Sequence, residues 1–82
     1  MSNKKRIKKT KEIAKILKKN RIEQNISQKA LSEWTKINER TLREYENPLS
    51  NKNILYKNII KLIRELDLNV DEQRVCLEKV LF

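Results

Sequence analysis

The chain predicts an all-α fold, a compact domain of five helices, or six, and three observations carry that expectation. Apolar residues recur at helical spacing along most of its 82 residues. No stretch of four or more residues alternates as a strand would, and the breakers are scarce, with one Pro and no Gly. The length suits a single small domain, without internal repeat or linker. A domain of this size buries only about 60 to 65% of the surface its unfolded chain exposes, so surplus apolar surface is expected to be covered by a partner.

Residues 1–9 lack sustained periodicity and are expected as a flexible basic arm. Thr10 can cap a first helix in which Ile13 and Leu17 repeat at i, i+4, Ile16 widens the stripe and Arg21 shares the face, ending near Glu23 or Gln24. Asn25 interrupts. Ser27 then offers an oxygen to cap a short second helix containing Ala30, Leu31 and Trp34. Thr35, Lys36 and Ile37 make a tight connection, and Asn38 caps a third helix with Leu42 and Tyr45 turned inward, stopped by Asn47 and Pro48. A polar loop over residues 47–53 leads to Leu55, Ile59, Leu62, Ile63 and Leu66, the strongest helical stripe in the chain. After a break at residues 67–70, Asp71 can cap a last helix bearing Val75, Leu77, Val80 and Leu81. The division is therefore an arm at 1–9, a globular part at 10–72 and a C-terminal helix at 73–82, a candidate dimerisation element whose apolar end includes Phe82.

The net charge of +9 is unevenly spread. Residues 1–23 hold ten Lys and Arg against two Glu, residues 24–50 balance at four against four, and residues 51–82 carry six against five. A block of this kind suits an electrostatic contact with a polyanion, salt-sensitive because condensed counterions are released; a solvated Lys-rich tail is the plainer alternative. Without Gly there is no phosphate-cradling loop, and without His the commonest acid/base and zinc ligand is missing, so neither catalysis, a cofactor nor a metal is expected. Cys76 alone cannot close an internal disulfide; it reads as an apolar filler. No export signal or membrane-length apolar run is visible, so the expected setting is the cytoplasm.

Two short helices joined by a three- or four-residue turn, within a basic chain, form the helix-turn-helix pattern of major-groove readers. On a wheel of about 100° per residue centred on Leu42, Tyr45 and Glu46 face inward, Arg40 and Glu44 lie near the opposite pole and Arg43 on the flank. Arg40 can place its fork on guanine O6 and N7, Glu44 can accept from cytosine N4, and Asn38 and Glu39 project from the helix start. Arg43 suits a phosphate, as do the backbone N–H groups near Ser27 and Asn53, expected at the starts of the second and fourth helices. Arg40 and Glu44, four residues apart, can equally pair on a solvated surface, worth about 0.2 to 0.5 kcal/mol.

Residues 26–46 resemble the signature of the Cro/C1-type (XRE) family. An apolar residue and Ser-Gln open the second helix at Ile26, Ser27 and Gln28. The Ala30 and Leu31 pair follows, and Thr41 with Leu42 and a terminal Glu46 mark the third. The resemblance spans roughly residues 13–72 and implies a lambda-repressor-like helix-turn-helix domain. It implies a sequence-specific transcriptional repressor bound to an operator in double-stranded DNA as a homodimer. It places Glu39, Arg40 and Glu44 at base edges, Gln28 between phosphate and base, and Glu46 in a pair with Arg21. The family usually has Gly where this chain has Lys36, so Lys36 carries a left-handed backbone cost or the turn differs; a basic group beside the phosphates offsets that cost. Two alternatives stand beside this reading: a protein-interaction module, such as an antirepressor or antitoxin component, on the same scaffold, and the DNA-binding part of a longer sensor-regulator. Neither a membrane nor a small-molecule substrate is an expected partner.

Overall fold

The computed structural model describes residues 5–81. Five helices carry the fold, α1 (Lys11–Glu23), α2 (Gln28–Thr35), α3 (Glu39–Glu46), α4 (Tyr56–Glu65) and α5 (Val70–Leu77). Three two-residue strands join them, β1 (Arg6–Ile7), β2 (Ile54–Leu55) and β3 (Val80–Leu81). The radius of gyration, 11.7 Å, is that of a well-packed chain of this length, about 12 Å. No helix among the described residues is long and apolar enough to cross a membrane.

The helix starts follow local chemistry. Thr10 Oγ1 accepts from Ile13 N at 3.2 Å, Ser27 Oγ from Ala30 N at 3.0 Å and Asn38 Oδ1 from Arg40 N at 2.8 Å, each satisfying an N–H that the helix leaves without a partner. At α5 the cap is Asn69, not Asp71: Asn69 Oδ1 accepts from Glu72 N, and the Glu72 carboxylate accepts from Asn69 N, a reciprocal box that Asp71 lies one turn position too late to make.

The small sheet is the main departure from an all-helical fold. β1 is its central strand, antiparallel to β2, with Ile7 opposite Ile54, and to β3, with Ile7 opposite Val80. The segment from residue 5 to residue 9, expected as part of a mobile arm, is built into the fold, and Ile7 is wholly enclosed. Residues 1–4 of the expected arm lie outside the described residues, as does Phe82. The last helix stops at Leu77, and Val80 and Leu81 leave helical geometry to pair with β1. The fourth helix starts at Tyr56 instead of near Asn53, because Ile54 and Leu55 are taken by the sheet.

One core holds these pieces together: Ile13, Leu17, Leu31, Leu42, Tyr45, Ile59, Leu62 and Leu66 from the helices meet Ile7 and Ile54 from the sheet. Cys76 is sealed in the same cluster, and burial pushes its thiol up to about 12, so it is an inert filler there. Ile60, Leu77 and Val80, apolar residues off the main stripe, are half-buried against it.

Candidate nucleic-acid interface

The connection from α2 to α3 presents α3 at the surface. Thr35 Oγ1 donates to Leu31 O at 2.7 Å and accepts from Ile37 N at 3.3 Å, while Ser32 Oγ donates to Ile37 O at 2.6 Å. These bonds leave Lys36 in the left-handed region, φ 62° and ψ 24°, so the chain adopts the backbone that favours Gly and carries its cost at a lysine. The two other left-handed residues are Asn25 and Asp67, types that tolerate it better. Lys36 is exposed, as the turn requires.

Behind α3 lies an ionic clamp. Arg21 Nε donates to Glu46 Oε2 at 2.8 Å and Nη2 to Oε1 at 3.0 Å, a two-pronged pair with side chains 12% and 4% exposed. Arg21 Nη1 also donates to Ile26 O at 2.8 Å, and Gln28 Nε2 to Glu46 Oε1 at 3.1 Å. Gln28 is thus engaged inward, through its amide nitrogen, rather than standing free. Tyr45 is enclosed, and its hydroxyl oxygen accepts from Asn58 Nδ2 at 3.1 Å.

The opposite face of α3 is polar and open. Arg40 is exposed, and its guanidinium has no hydrogen-bond or ion-pair partner among the described residues. Its expected rival pairing with Glu44 does not form. Instead Glu39 pairs with Arg43 at 3.7 Å and Glu44 with Lys52 at 4.0 Å, all four side chains being between 42% and 58% exposed. At that exposure such pairs are worth little and can be exchanged for other partners. Asn38 and Ser27 are exposed caps with their side-chain oxygens committed to helix N–H groups. The expected phosphate site at the start of the fourth helix is not formed near Asn53. Asn53 Oδ1 accepts from Lys9 N at 3.3 Å, and the Tyr56 N–H at the true helix start donates to Lys5 O at 2.9 Å.

Lys9 is a residue that sequence reasoning placed in the arm and the fold places at α3. It is 8% exposed, and its ammonium donates to Glu44 O at 3.0 Å and to Asn47 O, carbonyls at the C-terminal end of α3. Those carbonyls already accept from Asn47 N and Ser50 N, so the ammonium is a second donor to each, and a cation there complements the helix dipole. Burial pulls the Lys9 ammonium below its ordinary range, and the nearby Glu44 charge opposes that pull. The one apolar residue between Arg6 and Lys8, Ile7, was the available signal that this segment packs.

Lys18, Arg43 and Gln28 also border a recess of about 300 Å³ at the end of α3, closed by Asn47 and Pro48. Trp34, on α2, is 55% exposed. In comparison with known proteins, the chain matches no family model, no curated protein and no solved structure.

Proposed function

We propose that the chain is a helix-turn-helix regulator of the Cro/C1 type that binds double-stranded DNA, a transcriptional repressor that occupies its operator as a homodimer. The observation that carries this reading is the outward face of α3, where Arg40 stands exposed without a partner among the described residues while Tyr45 and Glu46 on the reverse side are buried. With its side chains a helix is about 10 to 12 Å across, which suits a major groove about 12 Å wide. Arg40 takes guanine O6 and N7, Glu44 accepts from a cytosine amine once Lys52 turns to phosphate, and Glu39 and Asn38 face the next bases. Arg43 and Lys36 take phosphates, and Gln28, held by Glu46, is placed to bridge phosphate and base only if that bond is exchanged. One short helix reads few base pairs, so two copies on half-sites about one helical turn apart supply the rest.

Selection of bound sequences from a random duplex pool tests the whole reading, and a palindromic product reports the dimer. On the selected site Arg40→Ala is expected to cost about 1 to 3 kcal/mol and relax one base position, with binding to random duplex unchanged. A uniform loss over all sequences removes Arg40 from base readout.

A second reading, a protein-interaction module, draws on the near-neutral outer face of α3, where Glu39 and Glu44 offset Arg43 and Lys52, and on the exposure of Trp34. Absence of any binding to random duplex at low salt favours it over DNA.

A further inference from the structure

Beside α3, on the flank away from Lys18, the sheet and the loop before α4 enclose a recess of about 310 Å³ bordered by Arg6, Thr41, Tyr45, Lys52, Asn53 and Asn58. Most of its polar groups are donors, the exception in the lining being the Asn58 side-chain oxygen, since Asn58 Nδ2 is spent on Tyr45. Asn53 commits its carbonyl oxygen to Lys9 N, which leaves its NH2 group as the free end. The Tyr45 oxygen accepts from Asn58 Nδ2, so its own hydroxyl hydrogen is available to donate. Thr41 adds a hydroxyl, and Arg6 and Lys52 add two cations. The nearby carboxylate is Glu44, at 4.0 Å from the Lys52 ammonium. Donors and cations exceed acceptors, the chemistry of an anion site.

Arg6 differs from a residue on a mobile tail. It sits on the central strand, paired with Leu55 on one side and Leu81 on the other, while its neighbour Ile7 is buried in the core. Its backbone is already ordered by the fold, so binding does not have to fix it.

The geometry points to this recess as a seat for one phosphodiester group of the DNA strand running beside α3, held jointly by Arg6 and Lys52. The inference rests on the DNA reading above and adds that the N-terminal segment grips the backbone as a rigid part of the domain, through a shared site.

The test is the salt dependence of binding to a random-sequence 20-base-pair duplex, measured on the full chain. One neutralised phosphate contributes about 0.9 to the slope of log K against log salt. Arg6→Gln and Lys52→Gln are each expected to flatten the slope, and the double variant to lose about one unit in total, because both serve one phosphate. Arg6→Lys is expected to restore most of the slope, and Arg74→Gln, on α5 outside the recess, to leave it unchanged. Thermal melts of each variant establish that the fold is kept. An Arg6→Gln slope equal to wild type, or a double variant that loses about two units, overturns the shared seat while DNA binding stands. Failure of the wild-type chain to bind the duplex at low salt overturns both the seat and the reading beneath it. As a second measurement, titration with inorganic phosphate is expected to shift the Asn53 side-chain NH2 and Thr41 resonances in wild type and not in the double variant; shifts of equal size in both overturn the seat.

Discussion

Arg21 and Glu46 lie 25 positions apart, yet between them they determine how α3 is held from behind. Each is inexpensive to bury only because the other is present: the carboxylate receives Arg21 at 2.8 and 3.0 Å and Gln28 at 3.1 Å. Glu46→Ala leaves the Arg21 guanidinium enclosed without a counter-charge and is expected to cost about 3 to 5 kcal/mol, read as a lower urea midpoint. Because Glu46 faces the interior, the folded fraction of that variant is expected to keep the wild-type sequence preference. A melting curve unchanged from wild type removes the clamp. Lys9 acts by the same logic with main-chain partners, joining the sheet to the last turn of α3 through two carbonyls.

At the scale of elements, α5 is tied to α1 by one carboxylate. Glu72 Oε2 accepts from Asn20 Nδ2 at 3.2 Å and meets Lys19 Nζ at 3.1 Å, while Oε1 accepts from Asn69 N at 3.3 Å. Burial alone raises the Glu72 carboxyl, but the hydrogen bonds from Asn20, Lys19 and Asn69, with the Lys19 charge, outweigh it, and the group ends below its ordinary value of 4.5. A carboxyl depressed in the folded state stabilises fully above its unfolded pKa and loses that contribution as pH falls through the folded one. Glu72→Gln is therefore expected to be less stable than wild type at neutral pH, with the difference closing as pH falls below 4.5 through the depressed folded value. Urea midpoints of the two proteins across that range check it. The helices themselves were legible in the residues, with Thr10, Ser27 and Asn38 as caps. The start of α4 was not, because Ile54 and Leu55 continue its apolar stripe and only pairing with β1 marks them as strand.

For the whole molecule the decisive feature is that the two ends of the described chain meet. β1 receives β2 from one side and β3 from the other, and Ile7 fills the core where they join. Ile7→Ala is expected to cost about 2 to 5 kcal/mol, much of the 5 to 15 kcal/mol typical of a whole domain. Lys8→Gln, on the exposed neighbour, is expected to leave the urea midpoint within about 0.5 kcal/mol of wild type. Equal, small effects at both positions point instead to a detached arm. The same closure uses Val80 against Ile7, so part of the apolar C-terminal end serves the monomer and only Leu81, 39% exposed, remains as large apolar surface on β3.

The candidate site divides the same way. That Arg40 faces out and that Tyr45 and Glu46 face in follow from spacing near α3, because neighbours three or four residues apart share a helix face, whereas the left-handed turn at Lys36 was one of two outcomes that the resemblance left open. Arg21 opposite Glu46 came from a resemblance over the whole pattern. The chain alone thus determined the helices, the caps of α1, α2 and α3 and the polarity of α3, since these are local properties of 3.6-residue periodicity and of side chains reaching nearby N–H groups. Only the tertiary structure decided that Arg6, Ile7 and Lys9 are parts of the globule, that Glu44 turns to Lys52 and Glu39 to Arg43, and that Arg6 and Lys52 border one recess. Two-residue strands are too short to impress an alternating pattern on a sequence, and ladder bonds between residues 47 to 75 positions apart depend on partners that no local spacing records.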